Sequence, residues 1–157
     1  TPFPVAYTLN SRIRPDQPSQ MLMATRFGFY RTVQGDTVSY TLPVPDLLEY
    51  YFHVIIASDV LTYFGDLTKV FVRVSKSLTP EGLFFFSVTE NHYNDDDFFM
   101  APSGRFVHNP NYVERVLKSV GLKLVNCERH ILRNEAESPV YGYIFAAVKP
   151  CINKSRV

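Results

Sequence analysis

Between His53 and Glu90 the spacing of hydrophobic and polar positions changes period twice. His53–Ala57 is a short β-branched run that stops at Ser58-Asp59. After Asp66, a residue suited to capping, Leu67, Val70, Phe71, Val74 and Leu78 recur at helical spacing. Thr79-Pro80-Glu81-Gly82 is a turn signature, and the apolar run Leu83–Thr89 ends at Glu90. This order predicts strand, helix, strand. Two buried strands joined by one helix form a right-handed unit with parallel strands. Ligands of such sheets bind outside the carboxyl ends of the strands, where Asp59 and Glu90 fall.

The rest of the chain extends that unit. Residues 19–30 predict a helix, with Ser19 as cap and Met21, Leu22, Thr25 and Phe29 on one face. A short strand follows at 32–34, then Gly35-Asp36 and one helical turn over 37–40. Residues 41–52 contain Pro43 and Pro45 and read as a loop or short helix. A long polar loop spans 90–109, with an acidic tip at Asp95–Asp97 and a turn at Pro102-Ser103-Gly104; a loop of that length in a compact domain is usually functional. Asn109-Pro110 opens a helix whose apolar face is Val113, Val116, Leu117 and Val120, and Gly121 closes it. Leu122–Leu132 and Val140–Lys149 then predict an antiparallel hairpin around 134–139. Residues 1–18 hold Pro2, Pro4, Pro15 and Pro18, so 1–15 is expected to be irregular, with a short strand through Val5–Leu9; 150–157 is a polar tail. The expected architecture is one α/β domain over 1–157: an open, mostly parallel sheet with a C-terminal antiparallel hairpin.

Composition narrows the function. A chain of 157 residues, 46% hydrophobic and 20% charged, can bury a single core. Its net charge of +1 carries no electrostatic footprint for nucleic acid or an anionic membrane surface. No apolar run approaches the roughly 20 residues of a spanning helix, and no signal peptide is visible. Cys127 and Cys151 are too few for a disulfide framework, which favours reduced thiols and a cytoplasmic location. The histidines His53, His92, His108 and His130 show no metal-ligand spacing, so no metal is expected.

Four acids stand at or just beyond predicted strand ends: Asp16, Asp36, Asp59 and Glu90. Carboxylates there accept charge-assisted hydrogen bonds from hydroxyls, amines or a cationic ligand, although an aspartate at such a turn is often only a helix cap. The 90–109 loop brings His92, Tyr93, Arg105 and His108. Either histidine could serve as a general base, since imidazole titrates near neutrality; a solvated loop histidine is the plainer reading. Ser58 lacks the flanking glycines of a nucleophile elbow.

VIIASDVLTYFGDL, LTPEGLFFFSVTE and PSGRFVHNPNYVERVLKSVGL together resemble class I S-adenosylmethionine-dependent methyltransferases. In that family the fourth strand ends in an acidic or polar residue, a Leu-x-Pro-Gly-Gly turn leads into the fifth, and a helix and antiparallel hairpin finish a Rossmann-like sheet. Glu81 stands here where glycine is usual. The resemblance runs from about Asp16 to Pro150. It implies S-adenosylmethionine as cofactor and a small-molecule methyl acceptor. It also implies Asp16 on the ribose hydroxyls, Asp36 on the adenine amine, and Ala57, Ser58 and Asp59 beside the methionine moiety. Leu61 and Tyr63 would continue into the acceptor pocket, with Glu90, Tyr93 and Arg105 lining it and His92 or His108 as base.

One departure stands out. The family's first strand and its glycine-rich turn are missing: none of the seven glycines forms Gly-x-Gly. The strand His53–Ala57 is then expected to lack its central neighbour. The chain reads as the C-terminal two-thirds of a longer enzyme, with the gap filled by the missing segment or by a second chain. A non-catalytic interaction domain of the same fold is the alternative. A dehydrogenase ranks third, because it too needs a glycine-rich fingerprint.

Overall fold

The computed structural model describes residues 20–25, 28–33, 36–40 and 51–151. Its elements are β1 (Gln20–Thr25), β2 (Gly28–Val33), β3 (Asp36–Tyr40), β4 (Phe52–Ser58), a 3-10 turn (Leu61–Tyr63), α1 (Thr68–Ser77), β5 (Leu78–Thr89), β6 (Phe98–Met100), β7 (Phe106–His108), α2 (Pro110–Ser119), β8 (Lys123–Glu135) and β9 (Ser138–Val148). Seven strands form one sheet in the order β3-β2-β1-β4-β5-β9-β8, and β6 pairs with β7 separately.

The predicted strand–helix–strand unit is present: β4 and β5 are parallel and α1 crosses between them. The α/β class and the terminal antiparallel hairpin are also as expected. The sheet is mixed, however. Among the described strands of this sheet only β1–β4 and β4–β5 pair in parallel, and antiparallel pairs flank them on both sides.

The described residues between 20 and 40 depart most from expectation. The predicted helix over 19–30 is two strands, β1 and β2, and the predicted helical turn at 37–40 belongs to β3. Met21–Thr25 pairs in parallel with Val54–Ser58, so β1 fills the position beside β4 that the sequence left empty. Helical spacing of Met21, Leu22, Thr25 and Phe29 was a weak local signal; pairing with the open edge of β4 is a non-local gain that overrides it. The 90–109 loop also carries structure, the hairpin β6–β7.

Both helices pack on one face of β4, β5 and β9. Phe71 of α1 meets Phe84 and Phe86 edge-on, and Phe86 stacks on Phe145 of β9 at 4.9 Å. Leu67, Leu78, Val88, Val113, Leu117 and Ala147 complete a core with almost no exposed surface. Two polar ties join the layers: Ser75 Oγ donates to the Val120 carbonyl, and Lys149 Nζ donates to the carbonyls of Ser75 and Leu78, at the last turn of α1 and its cap. The cation there also complements the helix dipole.

The ends of α2 follow the sequence signals, whereas the cap position of α1 is Leu67, one residue after the predicted Asp66. Asn109 accepts from the Asn111 N–H, with Pro110 at the first helical position. Asp66 accepts from the Thr68 N–H at 2.8 Å. That bond holds its carboxyl below the usual range. Gly121 takes a φ of 80° and ends α2. The Thr79–Gly82 turn is accommodated within β5: Leu78 pairs with Phe52 and Leu83 with Val54, so the turn loops out of the ladder between them.

Candidate functional site

The carboxyl ends of β4 and β5 lie side by side and are overhung by the tip of the β8–β9 hairpin. Ser58 is exposed and Ala57 is buried in the core. Asp59 turns the chain out of β4 in the left-handed region, φ 55°, which aspartate tolerates better than most residues. Its N–H donates to Ser87 Oγ, and its carboxylate accepts from Arg133 Nη1 at 3.3 Å. Arg133 also reaches Thr89 Oγ1 and donates from Nε to Glu135 at 2.7 Å. Glu135 in turn lies 3.6 Å from Arg105.

A second network surrounds Glu90. Arg129 grips its carboxylate with two hydrogen bonds, 3.0 and 2.8 Å, and Tyr143 donates to it at 3.0 Å. The Arg129 bonds are the main reason its carboxyl sits below the usual range, against the opposing effect of burial. Arg129 also lies 4.1 Å over the Tyr141 ring.

Register explains the separation of the two networks. Arg129 pairs with Tyr143, and Val88 pairs with Tyr143 from the other side, so this set shares the helix-covered face. Ile131 pairs with Tyr141 but Arg133 pairs with Val140. That bulge inserts Leu132 and turns Arg133 to the opposite face, where Thr89 and Ser87 point.

The 3-10 turn and the β6–β7 hairpin close the end of the sheet. Leu61 is buried in the core, whereas Tyr63 is 55% exposed. Gly65 lies directly against the rings of Phe98 and Phe106, where a Cβ would come within 2.8 Å of Phe106. His108 has no exposed surface and its Nε2 lies 3.0 Å from the Gly65 carbonyl. Burial pushes this imidazole below its ordinary range, so it is neutral near pH 7; its Nδ1 has no hydrogen-bond partner among the described residues. His92 is exposed and its ring lies 4.1 Å from that of Tyr93, itself exposed and packed toward Phe99.

The structure therefore brings Ala57, Ser58, Asp59, Glu90 and Arg105 to one edge, with Leu61, Tyr63, His92, Tyr93 and His108 around it. Leu61 serves the core, and His108 ties the hairpin to the 3-10 turn beneath the surface. Asp36 is placed elsewhere. It opens β3 instead of closing a strand: it pairs with Val33, which pairs with Gln20 at the amino end of β1, whereas Ser58 pairs with Thr25 at the other end. Asp16 lies outside the described residues. Sequence reasoning missed Arg129, Arg133, Glu135 and Tyr143. The charged spacing of Glu128, Arg129, Arg133 and Glu135 along one strand was the available signal. Among the described residues no cluster of metal-ligating side chains occurs, and no helix is long and apolar enough to cross a membrane.

No family model and no curated protein sequence matches the chain. Solved structures do. A methyltransferase dependent on S-adenosylmethionine from Methanosarcina mazei superposes with a TM-score of 0.54 at 14% identity, over 70% of this chain and 63% of that one. A Galdieria sulphuraria protein described as a sarcosine dimethylglycine methyltransferase gives 0.51 at 12% identity, over 69% of this chain and 56% of that one. The cyclase SpnF gives 0.50 at 16% identity, over 70% and 53%. The chain thus spans less than two-thirds of each of these structures. A cyclase among them illustrates that one fold serves more than one reaction. The described residues have the fold of class I S-adenosylmethionine-dependent methyltransferases.

Proposed function

We propose that this chain is the acceptor-side part of an S-adenosylmethionine-dependent methyltransferase acting on a small molecule. The observation that carries the reading is the edge formed by Ser58, Asp59, Thr89 and Glu90, at the carboxyl ends of two parallel strands in a sheet of this order. Such edges are where α/β folds bind ligands.

The residues present fit the cofactor in part. Ser58 and the left-handed turn at Asp59 leave the end of β4 open toward a ligand. No glycine cradle follows β1, whose next residues are Arg26 and Phe27. S-adenosylmethionine supplies an already activated methyl group, so the demand on the protein is positioning and local charge. In this reading Tyr63, on the 3-10 turn, and Phe64, just after it, are both exposed and give the acceptor an aromatic wall. The β6–β7 hairpin shields that end from water, and the ion-paired rim of Asp59, Glu90, Arg129 and Arg133 orients polar groups. His92 is the accessible imidazole for an acceptor that must lose a proton, and His108 is a structural lock.

Calorimetric titration of the 157-residue chain with S-adenosylmethionine and its demethylated product tests this reading. Micromolar binding supports it. A folded chain that binds neither favours the second reading, a non-catalytic interaction domain, for which the missing Gly-x-Gly turn is the specific support.

A further inference from the structure

The Glu135 side chain is 46% exposed, yet it sits between two arginines that are largely covered, Arg105 at 26% and Arg133 at 21%. One oxygen, Oε1, faces both: 2.7 Å from Arg133 Nε and 3.6 Å from Arg105 Nη1. The longer contact is an ion pair without a hydrogen bond. Arg105 Nη1 is buried and donates to nothing among the described residues, which is costly for a guanidinium nitrogen. Arg133 is differently placed, because Asp59 and Thr89 also accept from it.

We propose that Arg105 and Arg133 form a receptor for a carboxylate group of the methyl acceptor, and that Glu135 fills it in the free chain. The inference rests on the methyl-transfer reading for the word acceptor, and on the geometry alone for the carboxylate. Three features carry it. Arg133 touches both Asp59 and Thr89, so the receptor opens on the carboxyl ends of β4 and β5. Arginine forks match planar carboxylates, and an incoming carboxylate can complete the hydrogen bond that Arg105 Nη1 lacks. Charge selects a monoanion: two guanidinium groups less the fixed Asp59 leave one positive charge once Glu135 swings out, which suits a carboxylate better than a phosphate dianion. Glu135 is able to leave, because it stands at the exposed tip of a hairpin and such ion pairs are weak.

The test follows the Nε–H signals of Arg105 and Arg133 by NMR during titration of the full chain with acetate, with chloride at matched ionic strength as control. A saturable acetate response absent with chloride is expected. In Glu135→Gln affinity rises roughly two- to five-fold, as removal of an exposed competing ion pair allows. In Arg105→Gln the response is lost. An equal response to chloride, or unchanged affinity in Glu135→Gln, overturns the proposal. The Glu135 variant alters only an exposed tip residue and keeps the test valid if Arg105→Gln does not fold. A parallel titration with S-adenosylmethionine separates the sources of the carboxylate. If S-adenosylmethionine displaces acetate and Arg133→Gln weakens both, the carboxylate is the cofactor's own and the acceptor assignment falls. If acetate binds as expected and S-adenosylmethionine does not bind at all, the receptor stands and the methyl-transfer reading fails.

Discussion

Glu81 holds a φ of 63°, a left-handed conformation that costs a residue with a side chain about 1–2 kcal/mol and glycine almost nothing. The position is fixed on both sides: its N–H donates to the Lys149 carbonyl, and Gly82 must stay small because a Cβ there would come within 2.8 Å of the Thr79 carbonyl. Glu81→Gly is therefore expected to raise stability by roughly 0.5–1 kcal/mol in urea denaturation, after the added chain entropy of glycine is deducted. An unchanged or lower midpoint would show that contacts of the Glu81 side chain outweigh the backbone strain. His108 makes a prediction of opposite kind. Burial lowers its pKa in the fold, so below about 6.5 the unfolded chain takes up a proton that the folded chain refuses. Its contribution is full above that pH and is lost as pH falls toward the folded value. Asp66, Glu90 and Glu135, whose pKa values are lowered by their partners, lose their contributions only below about 4.5, so the two windows separate. Stability measured between pH 7 and 5 is expected to decline in the natural chain and to stay level in His108→Gln. Parallel slopes would remove His108 from the account.

At the scale of elements, the hairpin β8–β9 shows why half of the rim was legible and half was not. Asp59 and Glu90 close apolar runs and stand out in the sequence. Arg129 and Arg133 lie four apart in one strand, which by simple alternation puts both on the same face. The bulge at Leu132 breaks that alternation, and nothing local announces it. At the bulge Leu132 folds over Gly142, where a Cβ would stand 2.3 Å from both Leu132 Cδ1 and the Val88 carbonyl. Gly142→Ala is expected to cost about 1–3 kcal/mol. Adding Leu132→Ala should recover only part of this, since the clash with the Val88 backbone remains. Full recovery would mean that the bulge, not the approach of β5, sets the need for glycine. The cap of α2 lies at the legible extreme. Asn109 was identified by local chemistry alone, and Asn109→Ala should lower stability by about 1 kcal/mol in the same assay.

Across the whole molecule, β4, α1, β5, α2 and the β8–β9 hairpin were readable because each announces itself within a dozen residues. Residues 20–40 were not: β2 and β3 pair with sequence neighbours, but β1 is placed by a distant partner, with Met21 opposite Val54, and that pairing makes β4 an interior strand. The order β3-β2-β1-β4-β5-β9-β8 puts β4 between two parallel neighbours, with Leu22 opposite Ile55 on one side and Phe84 opposite Ile55 on the other. Amides of adjacent residues in a strand point to opposite sides, so protection from hydrogen exchange reports each neighbour separately. All amides from Val54 to Ser58 are expected to be protected. Leu22→Pro removes a ladder donor in β1 and disfavours strand geometry there. It should release the alternate set of β4 amides that faces β1 while leaving the set that faces β5 slow. Loss of both sets together would mean that β1 folds as one cooperative unit with the core. Fast exchange of the β1-facing set in the natural chain would mean that β1 does not hold this place in solution, and the edge of β4 would then be open to whatever completes the sheet.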